Sequence, residues 1–268
     1  MGAPIVEVEH LVKRYNGTVA VNDLSLAVEP GELFGFLGPN GAGKTTTISI
    51  LCTLLAPTSG AARVAGFDCV RQSREVRRQI GIIFQDPSLD ERLTAWENLL
   101  FHAMIYHLPV RTRKARIDEA LAMVDLADRR DTIVKRFSGG MKRRLEIARG
   151  LLHQPQVLFL DEPTIGLDPQ TRRRMWEFIE QLRADTQITL FLTTHYMEEA
   201  EVCDRIAIID HGRLVALGSP DQLKQEHGGP EASLEDVFIR LTGYEIRDGE
   251  ASDHDLLRTV RRWSRGPR

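Results

Sequence analysis

The chain is short of cysteines and of long apolar runs, and each shortage excludes a class of protein. Only three cysteines occur, Cys52, Cys69 and Cys203, without a CxxC pair or a metal-ligand spacing. We expect them to be reduced thiols in a hydrophobic core. No stretch approaches the roughly 18 apolar residues of a membrane span, and the N-terminus lacks the apolar run of a signal peptide. We therefore expect a cytosolic protein, or one that reaches a membrane only through a partner.

Neither sign of charge is in large excess, because the chain has 35 lysines and arginines and 38 aspartates and glutamates. Such a balance provides no overall field that would attract nucleic acid, so we expect no nucleic-acid partner. A chain of 268 residues is long enough to bury a large core without disulfides or structural metals.

The order of apolar runs predicts an α/β fold with a mixed or parallel core sheet, an antiparallel β subdomain and a helical insertion. Runs near the N-terminus, Ile5–Leu11 and Leu24–Val28, alternate as half-exposed antiparallel strands do. Further short apolar runs beside helical segments indicate buried parallel strands. These are ELFGFL before the glycine loop, Ile80–Phe84, Val157–Leu160, Ile188–Thr194 and Arg205–Asp210.

Three regions follow from this order. Residues 1–92 and 155–220 form the predicted α/β core with its β subdomain, and residues 93–154, which show helical periodicity and no β runs, form a helical subdomain. Residues 221–268 form a C-terminal extension, preceded by a helix start signal at Ser219 and Pro220. Its basic end, Leu256–Arg268, is either a solvated tail or a contact with anionic lipid or a dimer partner.

A glycine loop lies between a predicted buried strand and a helix. The pattern Gly38-x-x-x-x-Gly43-Lys44-Thr45 is a phosphate-binding loop. Its backbone N–H groups would converge on a β-phosphate, Lys44 would reach the β/γ oxygens, and the Thr45 hydroxyl would bind Mg²⁺. The alternative is a glycine-rich turn that caps a helix. The position between strand and helix favours nucleotide binding.

Two adjacent carboxylates follow a second buried strand. Asp161 would hold Mg²⁺ or its water, and Glu162 would face the γ-phosphate and orient or deprotonate the attacking water. An acidic turn at a strand end is the alternative.

A second small-residue helix start lies at Ser138, Gly139 and Gly140, and it offers another place for a phosphate. An ordinary N-cap is the equal alternative. We expect the following Lys142, Arg143 and Arg144 to form the solvated face of that helix. Because one chain would then hold one complete phosphate loop and one spare anion site, two copies arranged head to tail would complete each other's sites.

Taken in order, these motifs resemble those of the ATP-binding subunit of ABC transporters, over about the first 220 residues. The fold that this resemblance implies is a P-loop NTPase of ABC ATPase type, with ATP and Mg²⁺ as cofactors. The matching residues are Tyr15, the loop Gly38, Pro39, Asn40, Gly41, Ala42, Gly43, Lys44, Thr45 and Thr46, then Gln85, Ser138 to Met141, Leu158 to Pro163, Gly166 to Asp168, and His195.

The resemblance also implies roles. Tyr15 would stack on adenine, and Gln85 would touch Mg²⁺ or water and sense a membrane partner. Ser138–Gly140 would clamp the γ-phosphate of the opposite subunit, and Asp168 would cross the dimer seam. His195 would hold the γ-phosphate and support the catalytic carboxylate. By themselves Tyr15 is an ordinary packing residue, Gln85 opens a turn, and His195 is a satisfied histidine at a strand end.

One position departs from the family pattern, since Met141 stands where the signature usually has glutamine. A thioether cannot make an amide's hydrogen bonds, but the phosphate clamp uses Ser138 and backbone N–H groups, so we expect activity to survive. Other stretches resemble the branch that includes daunorubicin-type drug exporters.

The leading hypothesis is an ATPase that dimerises, as two identical chains or with a related ATPase, and powers export of a drug, antibiotic or lipid-like cargo. It would sit at the cytoplasmic face of the membrane and drive a separate transmembrane permease docked near Gln85 and Trp96. The alternatives are a soluble ABC-type ATPase that acts on nucleic acid or the ribosome, and a P-loop kinase. The first usually carries coiled coils, zinc hooks or two nucleotide domains, and the second leaves the Ser138 motif unexplained.

Overall fold

The structure is a computed structural model, and it describes residues 2–85, 88–229 and 231–243. The turn expected at Asp86–Pro87 and the basic segment Leu256–Arg268 lie outside the described residues. Within the described part of the chain, no helix has both the length and the hydropathy needed to cross a bilayer. The strands are β1 Val6–Tyr15, β2 Thr18–Val28, β3 Leu33–Leu37, β4 Ser59–Val64, β5 Phe67–Asp68, β6 Ile80–Ile83, β7 Val157–Asp161, β8 Thr189–Thr194, β9 Arg205–Asp210 and β10 Arg213–Gly218.

The α-helices of these residues cover one side of a small sheet and both faces of a larger one. They are α1 Lys44–Leu51, α2 Ser73–Gln79, α3 Ala95–Ile105, α4 Val110–Met123, α5 Gly139–Leu151, α6 Pro169–Thr186, α7 Met197–Glu201, α8 Pro220–Leu223 and α9 Leu234–Thr242.

The N-terminal strands form a four-stranded antiparallel sheet in the order β2-β1-β4-β5. Along β1, the side chains of Val6, Val8 and Leu11 are buried while much of the opposite face is exposed. The buried face packs in one hydrophobic cluster with Ile48 and Leu51 of α1. The antiparallel β subdomain predicted from the alternation is confirmed.

The larger sheet has six strands in the order β10-β9-β3-β8-β7-β6, parallel except for β10 at one edge. Strands β3, β7 and β8 are buried along their whole length, as their near-continuous apolar sequences predict. Their carboxyl ends meet at one edge of the sheet, where open α/β folds bind ligands. The glycine loop, Glu162 and His195 each follow one of these three strands, so the topology brings them to the same edge.

The helical region between β6 and β7 has a hydrophobic cluster of its own, to which α3, α4 and α5 contribute Leu99, Leu121 and Leu145. Helix α3 begins with a capping box, in which Thr94 accepts from the Glu97 backbone N–H and donates its own N–H to the Glu97 carboxylate. Trp96 packs against this cluster and is half-buried.

Helix α5 lies in direct contact with β6. A Cβ atom built on Gly81 would lie 2.5 Å from the carbonyl oxygen of Gly150, a distance that backbone cannot accommodate without moving. Glycine at this crossing therefore allows the helix of the helical region to rest on the edge of the core sheet.

The C-terminal part of the described chain packs on the same sheet. Ser219 caps α8 with Pro220 at the first helical position, as the sequence predicts. Helix α9 begins at a second capping box, and its Leu234, Val237 and Phe238 are fully buried in the cluster that contains β7 and β8 side chains. Burying such side chains stabilises the fold by about 1.5–3 kcal/mol each. The segment after residue 220 thus begins as part of the core, and the boundary at 220 stays a prediction.

Candidate nucleotide-binding and hydrolysis site

The glycine loop connects β3 to α1 and is shaped by backbone that a side chain would obstruct. Gly43, the N-cap of α1, has φ 103°, and a Cβ atom built on it would lie 2.4 Å from the Ala20 carbonyl oxygen. Only glycine adopts this conformation without strain. Lys44 is buried, and its Nζ donates to the carbonyl oxygens of Gly38 and Pro39 at 2.6 and 3.2 Å. The loop therefore forms a backbone cradle with a buried cation at the start of a helix.

Burial and nearby carboxylates have opposite effects on the pKa of Lys44. Burial lowers the pKa of its ammonium group, while the nearby carboxylates of Glu162 and Asp161 raise it. A triphosphate placed in the cradle would bring further negative charge to this group and would favour the charged lysine. The residues present thus fit an anionic phosphate chain, as the sequence predicts for Gly38 to Thr46.

Asp161 ends β7 and is buried at the same edge. Its Oδ1 accepts a hydrogen bond of 2.6 Å from the Thr193 hydroxyl of β8. Burial raises the pKa of this carboxyl, whereas the Thr193 hydrogen bond lowers it. A buried carboxylate of this kind favours a nearby cation, and oxygen ligands are those that Mg²⁺ prefers. The other expected Mg²⁺ ligands, Thr45 and Gln85, are exposed.

Glu162 lies one residue beyond β7 and has a left-handed backbone, with φ 47°. Its N–H donates to the backbone oxygen and the hydroxyl oxygen of Thr193, at 3.2 and 3.1 Å. Its carboxylate Oε1 is 3.3 Å from Nδ1 of His195. If both residues continued the strand, Asp161 and Glu162 would point to opposite faces of the sheet, but the strand ends at Asp161 and the chain turns at Glu162. This turn, and not strand alternation, separates the two carboxylates.

Electrostatics keep the Glu162 carboxylate ionised. Burial raises its pKa, but the hydrogen bond and charge of His195, together with the charge of Lys44, outweigh burial and lower the pKa below its ordinary value. Lys44, Asp161, Glu162 and His195 thus lie close enough to influence one another's charge, and their roles stay predictions.

Glu199 of α7 is a site residue that the sequence analysis missed. It is 2 % exposed and accepts hydrogen bonds from the hydroxyls of Thr164 and Thr194. Thr164 follows Glu162 by two residues, and Thr194 immediately precedes His195. The Glu199 carboxylate therefore holds together the two segments that carry Glu162 and His195. One glutamate in the acidic stretch MEEAE carries no local signal for this role.

The expectation of a solvated basic face on α5 is wrong for Arg143. This residue is 6 % exposed and forms an ion pair of 3.1 Å with the fully buried Glu146. The flanking Lys142 and Arg144 are half-buried, and they bind the Glu91 carboxylate and the Val124 carbonyl oxygen. Three consecutive cations look alike in a sequence, whereas their directions around a helix differ by about 100° each.

The remaining predicted residues lie at two helix starts and a strand end, and all but Gly140, which is buried, are exposed. Ser138 caps α5 by accepting from the Met141 N–H at 3.3 Å, and both Ser138 and Gly139 are exposed. Asp168 caps α6 and is exposed as well. Tyr15 is 43 % exposed at the end of β1, with Lys13 Nζ 5.1 Å from its ring centre. Their polar contacts stay within their own segments, which leaves these groups accessible.

A phosphate cradle, a buried lysine and a carboxylate–histidine pair at the carboxyl edge of a parallel sheet define a P-loop nucleotide hydrolase. The chain matches the family model of ABC transporters over residues 21–165, more than half of its length. It therefore belongs to the ABC transporter family, and it is an ATPase of that family that binds ATP. The predicted fold class and activity are confirmed, in preference to the alternatives.

Similar proteins agree in sequence and in fold. The daunorubicin resistance ATP-binding protein DrrA3 of Streptomyces coeruleorubidus is 44 % identical over 91 % of this chain and 76 % of its own. The linearmycin resistance ATP-binding protein LnrL of Bacillus subtilis is 41 % identical over 89 % of this chain and 75 % of its own. A solved ATP-binding subunit of an ABC transporter matches with a TM-score of 0.78, at 32 % identity over 88 % of this chain and 99 % of that one. A dimeric ATP-binding cassette in a post-hydrolysis state, bound to ADP and Pi, matches with a TM-score of 0.71, at 26 % identity over 80 % of this chain and 98 % of that one.

Proposed function

We propose that this ATPase powers export of a drug, antibiotic or lipid-like cargo through a separate membrane permease, as a peripheral protein at the cytoplasmic face. The observation that carries the proposal is the similarity to subunits named for daunorubicin resistance, linearmycin resistance and Nod factor export. The test is to co-express the chain with a candidate permease and to measure efflux of a labelled anthracycline. Efflux that depends on Glu162 supports the proposal, and efflux equal in its Glu162→Gln variant contradicts it.

The hydrolysis step uses the residues at the carboxyl edge of the sheet. Lys44 binds the β/γ-phosphate oxygens, Glu162 orients or deprotonates the attacking water, and His195 holds the γ-phosphate and fixes Glu162 through their 3.3 Å contact. Mg²⁺, held by Thr45, Gln85 and Asp161, would neutralise charge on the phosphate oxygens. Buried Asp161 supplies the negative charge that such a cation requires.

We further propose that two nucleotide-binding chains sandwich two ATP molecules. Ser138 and Gly139 are exposed at the start of α5, where a helix N-terminus attracts an anion, and Ser138–Gly140 of one subunit would clamp the γ-phosphate bound by the other. Tyr15 would stack on adenine, and Asp168 would lie at the dimer seam. The pair is two identical chains or this chain with a related ATPase. Dimerisation that requires ATP, measured by light scattering, tests the arrangement.

The permease would dock on the outer face of α3. Phe101, Met104 and Ile105 are 63, 53 and 54 % exposed, and their spacing places them on one face of the helix. A groove of about 200 Å³ beside this helix is lined by Phe84, next to Gln85, and by other aromatic and basic side chains. Burial, Arg149 and His153 lower the pKa of His102 in this groove to about 3, so the ring is uncharged. An apolar cytoplasmic helix of the permease fits such a surface.

The proposed docking surface includes the surroundings of Gln85 and lies on the same helix as Trp96, near which the sequence predicts docking. Trp96 packs on the helical cluster, whereas the exposed apolar side chains lie about one and a half to two and a half turns further along. Phe101→Ser should abolish co-purification with the permease and leave basal ATPase activity unchanged. Val215→Ser, at an exposed apolar residue of edge strand β10, is the matched control. Equal loss in both variants would contradict this surface.

A further inference from the structure

We propose that Arg143 is a positioning residue, whose guanidinium fixes the turn that carries Glu162 and ties this turn to the backbone immediately before Gln85. It reaches this turn from α5, the helix that begins at the Ser138 motif. The residue itself contacts no substrate atom in this proposal. It acts by holding the backbone from which the catalytic carboxylate projects.

Every donor of the guanidinium is engaged. An arginine side chain has five N–H donors in a planar fork. Nε donates to the Pro163 carbonyl oxygen at 2.8 Å, Nη2 to the carbonyl oxygens of Asp161 and Glu162 at 3.2 and 3.3 Å, and Nη1 to the Phe84 carbonyl oxygen at 2.5 Å and to Glu146 at 3.1 Å. Three successive carbonyl groups around Glu162 therefore converge on one cation.

The turn at Glu162 needs such support. Its φ of 47° lies in the left-handed region, which residues with a Cβ atom adopt at a cost and keep only when their surroundings hold them there. Strand β8 holds the N–H of Glu162 through Thr193, as described above. Arg143 holds its carbonyl group from the opposite side. The direction of the carboxylate is thus set between a strand and a helix.

The same pair of side chains also reaches both ends of the segment around Gln85. Arg143 binds the carbonyl oxygen of Phe84, and its ion-pair partner Glu146 accepts from the N–H of Ser88 at 2.8 Å. Both Arg143 and Glu146 are buried, so water does not compete for these bonds. A shift of Phe84 or Ser88 would therefore displace the guanidinium of Arg143 and, through it, the turn at Glu162.

The opposing explanation is that Arg143 and Glu146 are only a buried ion pair that maintains the fold. The two explanations differ in kinetics. A positioning residue that acts through Glu162 lowers kcat and leaves the KM for ATP near its original value, since the phosphate cradle is untouched. It also has no further effect once the catalytic carboxylate is gone, because effects that act through one group are not additive.

The experiment compares Arg143→Lys with Arg144→Lys in the full chain. Lysine keeps the charge opposite Glu146 but cannot reach five acceptors, so we expect kcat to fall at least about tenfold, with the KM for ATP and the melting temperature little changed. Arg144, the next residue of α5, binds Val124 and lies 3.6 Å from Asp125, away from the turn, so its variant should keep wild-type kcat. Unchanged kcat in folded Arg143→Lys, or equal losses in both variants, would overturn the proposal.

Two further variants exclude a loss of folding as the cause. In a Glu162→Gln background, Arg143→Lys should leave the residual single-turnover rate unchanged, whereas a general structural defect would lower it again. If Arg143→Lys does not fold, Arg143→Met combined with Glu146→Leu removes both buried charges together, an exchange that buried ion pairs often tolerate. That double variant should fold and bind ATP with kcat reduced at least about tenfold. Wild-type kcat in it would refute the positioning role.

Discussion

Replacing Glu162 by glutamine tests the centre of the hydrolysis site. The amide preserves the volume of the side chain and leaves intact the Thr193 hydrogen bonds, which involve only the backbone N–H of this residue. It removes the basic oxygen that lies 3.3 Å from His195. A general base contributes about 10²–10⁴ to a rate, so we expect turnover to fall at least about 100-fold, equivalent to about 2.7 kcal/mol in the barrier.

ATP binding should survive this change. The Glu162 carboxylate is one of two negative charges that raise the pKa of Lys44, and Asp161 remains in the variant. Removing a negative charge beside a triphosphate also lessens repulsion. We therefore expect the affinity for ATP to be retained or improved, and a dimer to accumulate because ATP is not consumed. Phosphate release in a single turnover, ATP titration and light scattering measure the three quantities.

A matched control is Glu198→Gln, which changes an exposed carboxylate in the first turn of α7. It should turn over at the wild-type rate. If Glu162→Gln also hydrolyses ATP within about fivefold of wild type, the carboxylate does not act as the base, since the expected loss is at least about 100-fold. The contact with His195 would then need another explanation.

Three other substitutions test separate parts of the structure. Met141→Gln should change ATP hydrolysis less than about tenfold, because Ser138 accepts from the backbone N–H at this position and not from its side chain; a larger change in steady-state rate would contradict this. Gly43→Ala should weaken ATP binding at least about tenfold and lower the melting temperature, since φ is positive and the Ala20 carbonyl oxygen would lie 2.4 Å from the new methyl; Gly41→Ala, where φ is also positive but no atom lies within 4 Å of the new methyl, should lower both less. Glu199→Ala should destabilise the fold by about 2–5 kcal/mol, because it leaves a cavity and two unpaired hydroxyls; urea unfolding with a loss below about 1 kcal/mol would refute this.

The sequence was sufficient to predict the sheet edge where the chemistry lies. Buried strands are nearly continuous apolar runs, and the residues that follow them must lie at a common edge when the strands are parallel. Lys44 and Asp161 are placed at this edge by their strands, whereas the place of His195 in the site comes from the resemblance to the family. The order of the motifs along the chain also identified the family. These signals are local, so one sequence contains them.

Contacts between segments that are far apart in the sequence could not be predicted in this way. Arg143 is buried because the carbonyl groups of a turn about 20 residues later converge on it, and nothing near it in the sequence indicates this. The positive φ of Glu162 likewise follows from what holds its backbone on two sides. Helix α9 was assigned to an extension, yet Phe238 is fully buried beneath the core sheet. Burial of this kind depends on tertiary packing and not on local pattern.

The crossing of α5 over β6 has a consequence for the chemistry at the other end of that helix. Where Gly81 meets Gly150, one added methyl group would push the two backbones apart by on the order of 1 Å, given ordinary contact distances. Hydrogen bonds of 2.8 to 3.3 Å from Arg143 would then be stretched beyond their useful range. The speed of ATP hydrolysis would thus respond to a purely steric change at a crossing of two residues that have no side chains of their own.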